Sequence, residues 1–308
     1  GADGALGAYY ATVAGDAARP VDDQLYPTFA AFVDAHRPEL EALVASHTTQ
    51  TNEARRTVVT LPALGLVGAD SGLPLSLLEV GASAGLNLLL DRFSFRIGSV
   101  EAGVADSPVR LECEVRGDVL PPVPATVPIA WRLGVDLSPL DARDPATRAW
   151  LRALVWPEHR DRMAILDAAL AIAEQDPPPL VRGDLTTDLS ALGAGAPGAA
   201  ALVVVSTWVL AYVSPALRRT FVGQLRRLAA ERGRNIWLVA GEGQSILASL
   251  GLDLTAEPPD GYGPSMLALC RFRPDGSEDS RLLAECHAHG RWIRWLDAAS
   301  AVAAGGPA

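Results

Sequence analysis

The chain has 308 residues, 49% hydrophobic and 20% charged, a globular composition that excludes a collagenous, coiled-coil or wholly disordered protein and allows one large α/β domain with an accessory lobe. Its formal charge is −10 and all 26 of its Lys-plus-Arg cations are arginine, which excludes Schiff-base chemistry and a P-loop lysine. An acidic chain without a basic run is a poor partner for nucleic acid or an anionic membrane, so the expected partner is a small molecule.

Residues 9–66 carry a helical pattern, with Phe29, Phe32, Val33, Leu40, Leu43 and Val44 on apolar positions, and predict an N-terminal helical lobe over residues 1–72. Gly65, Gly68, Gly72 and Pro74 then punctuate the chain before the apolar run Leu75–Val80, a first buried strand. The following GASAGLNLLLDRF reads as a glycine turn feeding a helix, and residues 96–127, with alternation in VRLECEVRG, as an inserted hairpin. AWRLGVDLSPLD gives a second strand ending in Asp136. Residues 147–175 are amphipathic and helical with a break at Pro157, and Leu180–Arg182 forms a third strand before Asp184.

The uncharged stretch 196–214 contains Pro197, Gly198, Ser206 and Thr207 around a short apolar centre, which reads as a buried parallel strand rather than a membrane span. A helix closed by Gly233 and a fifth strand, NIWLVAGEG, follow; the end reads as two strands joined around Pro274 and Gly276. The expected fold is α/β: a Rossmann-like three-layer sandwich over residues 73–308, with a mostly parallel seven-stranded sheet, an antiparallel C-terminal edge and insertions near 96–127 and 147–175.

Cys113, Cys270 and Cys286 are an odd number without CxxC spacing, so neither a disulfide framework nor a cysteine-rich zinc site is expected; with no signal-like segment in residues 1–10, the expected compartment is the cytoplasm. His287 and His289, two apart in CHAHG, would share one face of a strand and are candidate general bases, as is His159 after Trp156 and Pro157. No third ligand accompanies the histidine pair, so no metal is expected. Trp156, Trp208 and Tyr212 are candidates for lining a substrate pocket, and Glu242, after the fifth strand, either faces substrate or stands in water.

The loop Glu79, Gly81, Ala82, Ser83, Gly85, Asn87 lies between the first strand and its helix, where open α/β sheets place a ligand crevice and a helix N-terminus offers free amides. With Asp136 and Asp184 ending the next two strands, the ordered set resembles the class I S-adenosylmethionine-dependent methyltransferases over residues 75–296. That resemblance implies S-adenosylmethionine as cofactor, with the methionine part at the glycine loop, Asp136 on the ribose hydroxyls and Asp184 near the adenine. At finer grain LLEVGASAGLNLLLDRF, GVDLSPLDARDP, WLRALVWPEHRDR and CHAHGRWIRWL resemble the bacterial family known as domain of unknown function 2332, which carries no established reaction. The leading expectation is a methyltransferase-like enzyme acting on a small molecule. A non-catalytic binding protein of the same fold, a dinucleotide enzyme and, through GxSxG at Ser83, a serine hydrolase stand beside it, the dinucleotide reading weakened because GASAGL lacks the third glycine of GxGxxG.

Overall fold

The computed structural model describes residues 4–254 and 265–299; the last residues of the expected second domain, 300–308, lie outside the described range. Helices α1 (Ala11–Ala14), α2 (Leu25–Ala35) and α3 (Arg37–Ser46) come first, followed by α4 (Thr57–Ser71). The first three bury no residue, and Tyr26, Phe29, Leu43 and Val44 stand exposed on them. Helix α4 behaves differently, because Val58, Val59, Leu61, Leu64 and Val67 make it apolar nearly all round. Such a helix must be covered on several sides, and α4 lies in the main core, stopped by Gly72 in the left-handed region.

The strands are β1 (Leu75–Val80), β2 (Ser94–Ile97), β3 (Val100–Gly103), β4 (Arg110–Val115), β5 (Ile129–Asp136), β6 (Leu180–Arg182), β7 (Ala201–Thr207), β8 (Ile236–Gly243), β9 (Ser265–Phe272), β10 (Glu278–Cys286) and β11 (Trp292–Trp295). They form one sheet of eleven strands in the order β3-β2-β4-β11-β10-β9-β8-β7-β1-β5-β6. Strands β6, β5, β1, β7 and β8 run parallel. Every residue of β1 and β7 is buried, as a strand covered on both faces requires.

Two expectations are corrected here. The sheet has eleven strands rather than seven, and the antiparallel pair β9–β10 lies inside it rather than at its edge. The cause is the insertion at 96–127: β2 and β3 do form a hairpin, but β4 pairs in parallel with both β2 and β11 and so carries the sheet four strands past β10. The terminal segment also breaks at residues 287–291, so β11 is a separate strand.

The remaining helices are α5 (Pro145–Ala153), α6 (Arg160–Gln175), α7 (Leu189–Ala194), α8 (Pro215–Arg232) and α9 (Gln244–Ala248). Asp144 caps α5 by accepting from the amides of Ala146 and Thr147, and Ser214 caps α8, each with proline at the first helical position. One apolar layer joins α4 and α6 to the sheet, and a second joins α8 and α9 to its other face; Val203 and Val205 of β7 point into the first, Leu202 and Val204 into the second. Among the described residues no helix is long and apolar enough to cross a membrane. The three cysteines are free and buried, and burial pushes the thiols of Cys113 and Cys270 up to about 12.

Candidate functional site

The carboxyl ends of β1, β5, β7, β8 and β10 share one edge of the sheet, and β1 is flanked there by β5 on one side and β7 on the other, the switch point at which open α/β sheets hold ligands. A strap of residues 50–56, between α3 and α4, lies across that edge. It makes the contacts that define the site.

At the β1–β5 end the strap closes the glycine loop. The amides of Gly81 and Ala82 donate to the Val135 carbonyl, that of Ser83 to Asp136 Oδ2 at 2.9 Å, that of Gly85 to the Ala82 carbonyl and that of Leu86 to Asn52 Oδ1 at 3.0 Å. Asp136 Oδ1 accepts from the Ser138 amide and from Gln50 Nε2, at 3.0 Å. Gly81 has φ +68, and a Cβ there would meet Val209 Cγ2 at 2.3 Å; at Gly85, φ +72, it would meet Pro178 Cγ at 2.7 Å. The room these glycines leave is thus filled by the chain's own side chains. The expected helix after the loop is a 3-10 turn, Leu86–Arg92, whose first amide is capped by Asn52. The Asp136 carboxylate is an acceptor that suits a hydroxyl of a vicinal diol in place of Gln50 Nε2, whereas most loop amides are bonded within the loop and β5 and offer S-adenosylmethionine no donors; of the five, Leu86 alone is held by residues 50–52.

Beneath the strap lies a buried carboxyl group. Glu79 is 2% exposed, its Oε1 accepts from Asn87 Nδ2 at 2.9 Å, and burial pushes its carboxyl up to about 8, so it carries a proton at neutral pH. Glu79 Oε2 and Asn87 Oδ1 are buried without a partner atom; a proton on the first would answer the second. Both residues line a cavity of about 10 Å³ with Arg56, Thr57 and Thr60, room for no more than a water. Arg56 stacks on Trp208 at 4.9 Å and donates to the carbonyls of Thr207 and Ala288. Ser83 and Trp208 are non-glycine residues in the left-handed region, φ 53 and 55, and both sit in loops at this edge.

The β10–β11 end carries the histidines. Residues 287–291 are a turn and not part of a strand, so the shared-face argument for His287 and His289 is corrected. The turn still brings the two rings within 5.7 Å, because the His289 amide donates to His287 Nδ1 at 3.0 Å. His289 Nδ1 lies 3.7 Å from Glu53 Oε2. That oxygen also accepts from Arg162 Nε at 2.6 Å in an ion pair 8% and 4% exposed, and Arg162 Nη1 lies 3.3 Å from His159 Nδ1. Burial, then Arg162 and Arg56, hold the His289 imidazole down to about 4. His289 and His159 therefore meet around Glu53 and Arg162, and His287 joins them through His289.

Other candidates lie elsewhere or do other things. Asp184 accepts from the amide and hydroxyl of Thr186 and organises the turn before α7. Glu242 neither stands in water nor faces an open site: it is fully buried, and its Oε1 accepts from Ser206 Oγ and the amides of Val209 and Leu210. Trp156 and Tyr212 are 66% and 82% exposed and enclose no pocket, while Trp208 is half-buried with Nε1 donating to Ser265. Ser83 Oγ donates to the Gln50 carbonyl. Gln50, Asn52, Glu53, Arg56 and Arg162 were missed; the one local signal, for the first four, is the polar stretch TTQTNEARR just before the apolar helix α4.

Curated proteins include no match to this chain. A solved sugar N-methyltransferase from Streptoalloteichus shares 12% identity, covers 82% of this chain and 76% of its own, and has a TM-score of 0.26, too low to carry an argument. The family model of uncharacterized proteins conserved in bacteria, domain of unknown function 2332, matches residues 1–295, and the chain belongs to that family.

Proposed function

We propose that this chain is a small-molecule enzyme of the methyltransferase-like kind, in which S-adenosylmethionine approaches Asp136 only when residues 50–52 lift from the glycine loop. One observation carries the reading. Asp136 ends the strand beside β1, binds the loop through Oδ2, and holds on Oδ1 a side-chain donor, Gln50 Nε2, of the kind a ribose hydroxyl supplies. A displaced Gln50 would leave that oxygen open to another donor. At the far end of the same edge His289, held down to about 4, is neutral at pH 7 with Glu53 against its Nδ1, so it offers a hydrogen-bond acceptor to an alcohol or amine rather than a strong base.

Titration calorimetry of the full chain with S-adenosylmethionine, its demethylated product and NAD tests this. The first two are expected to bind and NAD is not; Gln50→Ala should tighten binding by roughly 2- to 10-fold, the worth of one competing hydrogen bond. Binding of NAD alone would replace the reading with a dinucleotide enzyme, and binding of none would remove the donor altogether.

A further inference from the structure

The protein is acidic, yet the surroundings of residues 287–291 are not. Arg55 and Arg291 approach the same carboxylate, Asp161, at 3.0 and 3.6 Å, so one acid serves two guanidinium groups. Arg162 is matched by Glu53, and Arg116, stacked on Trp292 at 4.4 Å, by Glu114. Arg56 faces carbonyl oxygens, and the nearby Glu79 is held neutral by burial. The local balance is positive inside a chain of charge −10.

The two imidazoles in this field are not equivalent. His287 Nδ1 accepts the His289 amide, so in the neutral ring the proton is on Nε2, a donor. His289 Nδ1 is buried, has no hydrogen-bond partner and lies 3.7 Å from Glu53 Oε2, a carboxylate that favours the tautomer with its proton on Nδ1 and a lone pair on Nε2. Side by side, the turn offers cations, one N–H donor and one acceptor. A bare anion would satisfy only part of that set.

We propose that the turn at residues 287–291, with Arg55 and Arg291, binds a small acid that also carries a hydroxyl or amine proton. The acid group meets the guanidinium of Arg291 and the Nε2 proton of His287, while the hydroxyl or amine donates to His289 Nε2. The site stands whether or not S-adenosylmethionine binds at Asp136, so the two can fail separately.

The test uses the full chain with L-malate, with succinate, which lacks the hydroxyl, and with inorganic phosphate. Malate is expected to bind saturably and about fivefold tighter than succinate. Arg291→Gln, at a residue 45% exposed and outside the core, should weaken malate by about tenfold. His289→Ala should erase the malate–succinate difference while Arg291 still holds the acid. Nitrogen NMR of the imidazoles should show the proton of His289 on Nδ1 and that of His287 on Nε2. Phosphate binding tighter than malate, and equally sensitive to Arg291→Gln, would assign the acid as a phosphate rather than a carboxylate. The proposal is overturned if none of the three probes saturates below about 10 mM, if Arg291→Gln changes nothing, or if His289 carries its proton on Nε2.

Discussion

Around the glycine loop the amides of Gly81, Ala82, Ser83, Gly85 and Leu86 are all taken by the chain itself, and the space beside the glycines is filled by Val209, Pro178 and Leu180. Around His289 the balance of charge differs: His289 Nδ1 and Arg55 Nε are buried without hydrogen-bond partners, as Glu79 Oε2 and Asn87 Oδ1 are beneath the loop, but here two arginines also share one aspartate. Unmatched buried atoms cost free energy at both places, so what sets the histidine turn apart is that its guanidinium groups outnumber the carboxylates paired with them. The loop amides are thus closed by the chain itself, whereas the arginines beside the histidine turn are only partly matched. The contrast shows that a glycine-rich turn after a strand can be a packed joint as readily as a ligand cradle.

The largest way to break this contrast is to remove Glu53. Glu53→Ala leaves Arg162 charged and buried alone, and should cost about 3–5 kcal/mol in urea unfolding; a loss below about 1 kcal/mol would mean that the pair is not buried as described. Next comes Gly81→Val, which combines a β-branched residue at φ +68 with a clash against Val209. Roughly 2–4 kcal/mol of stability should be lost, even without any ligand. If the variant melted like the parent and lost only ligand binding, the loop would be a cradle after all.

The smallest expected effect sharpens the picture of the floor beneath the strap. The folded Glu79 carboxyl sits near 8, above its ordinary 4.5, so its contribution is fully present below about 4.5 and is lost as the pH rises through about 8. Between pH 6 and pH 8 the protein should lose about 2 kcal/mol on this account. Glu79→Gln, neutral at every pH and able to pair amide to amide with Asn87, should flatten that slope in urea titrations at several pH values. An unchanged slope would show that Glu79 is ionised in the fold.

Much of the frame was legible because its signals are local. Leu75–Val80 and Leu180–Arg182 are apolar runs between turn residues, and both are strands with those bounds; Gly233 closes α8 as a left-handed cap. The extent of the sheet was not legible, because whether β4 pairs with β11 depends on two segments far apart in sequence, and alternation alone does not name a partner. Residues 287–291 mimic a continuing strand, and only Gly290, at φ +67 against the Arg55 carbonyl, betrays the turn. The site was half legible for a similar reason. The three histidines could be nominated by chemistry, but Glu53 and Arg162, which gather them, come from a connecting segment and a helix that look ordinary in isolation.

The seam between β4 and β11 rests on two residue pairs, Trp292 with Glu114 and Ile293 with Val115. A chain emerging from the ribosome completes β4 long before β11 exists, so the amides along that side of β4 wait, unpaired, until residues 292–295 are made. A waiting edge is a template for the wrong partner. Closing it requires one of the longest loops in the molecule, and long-range closures of this kind are slow. The parallel strands β1, β5, β6, β7 and β8 can pair without β11, whereas the β2–β3–β4 wing joins the rest of the sheet only through it. The histidine turn, which directly precedes β11, would then reach its final shape only as that seal is made.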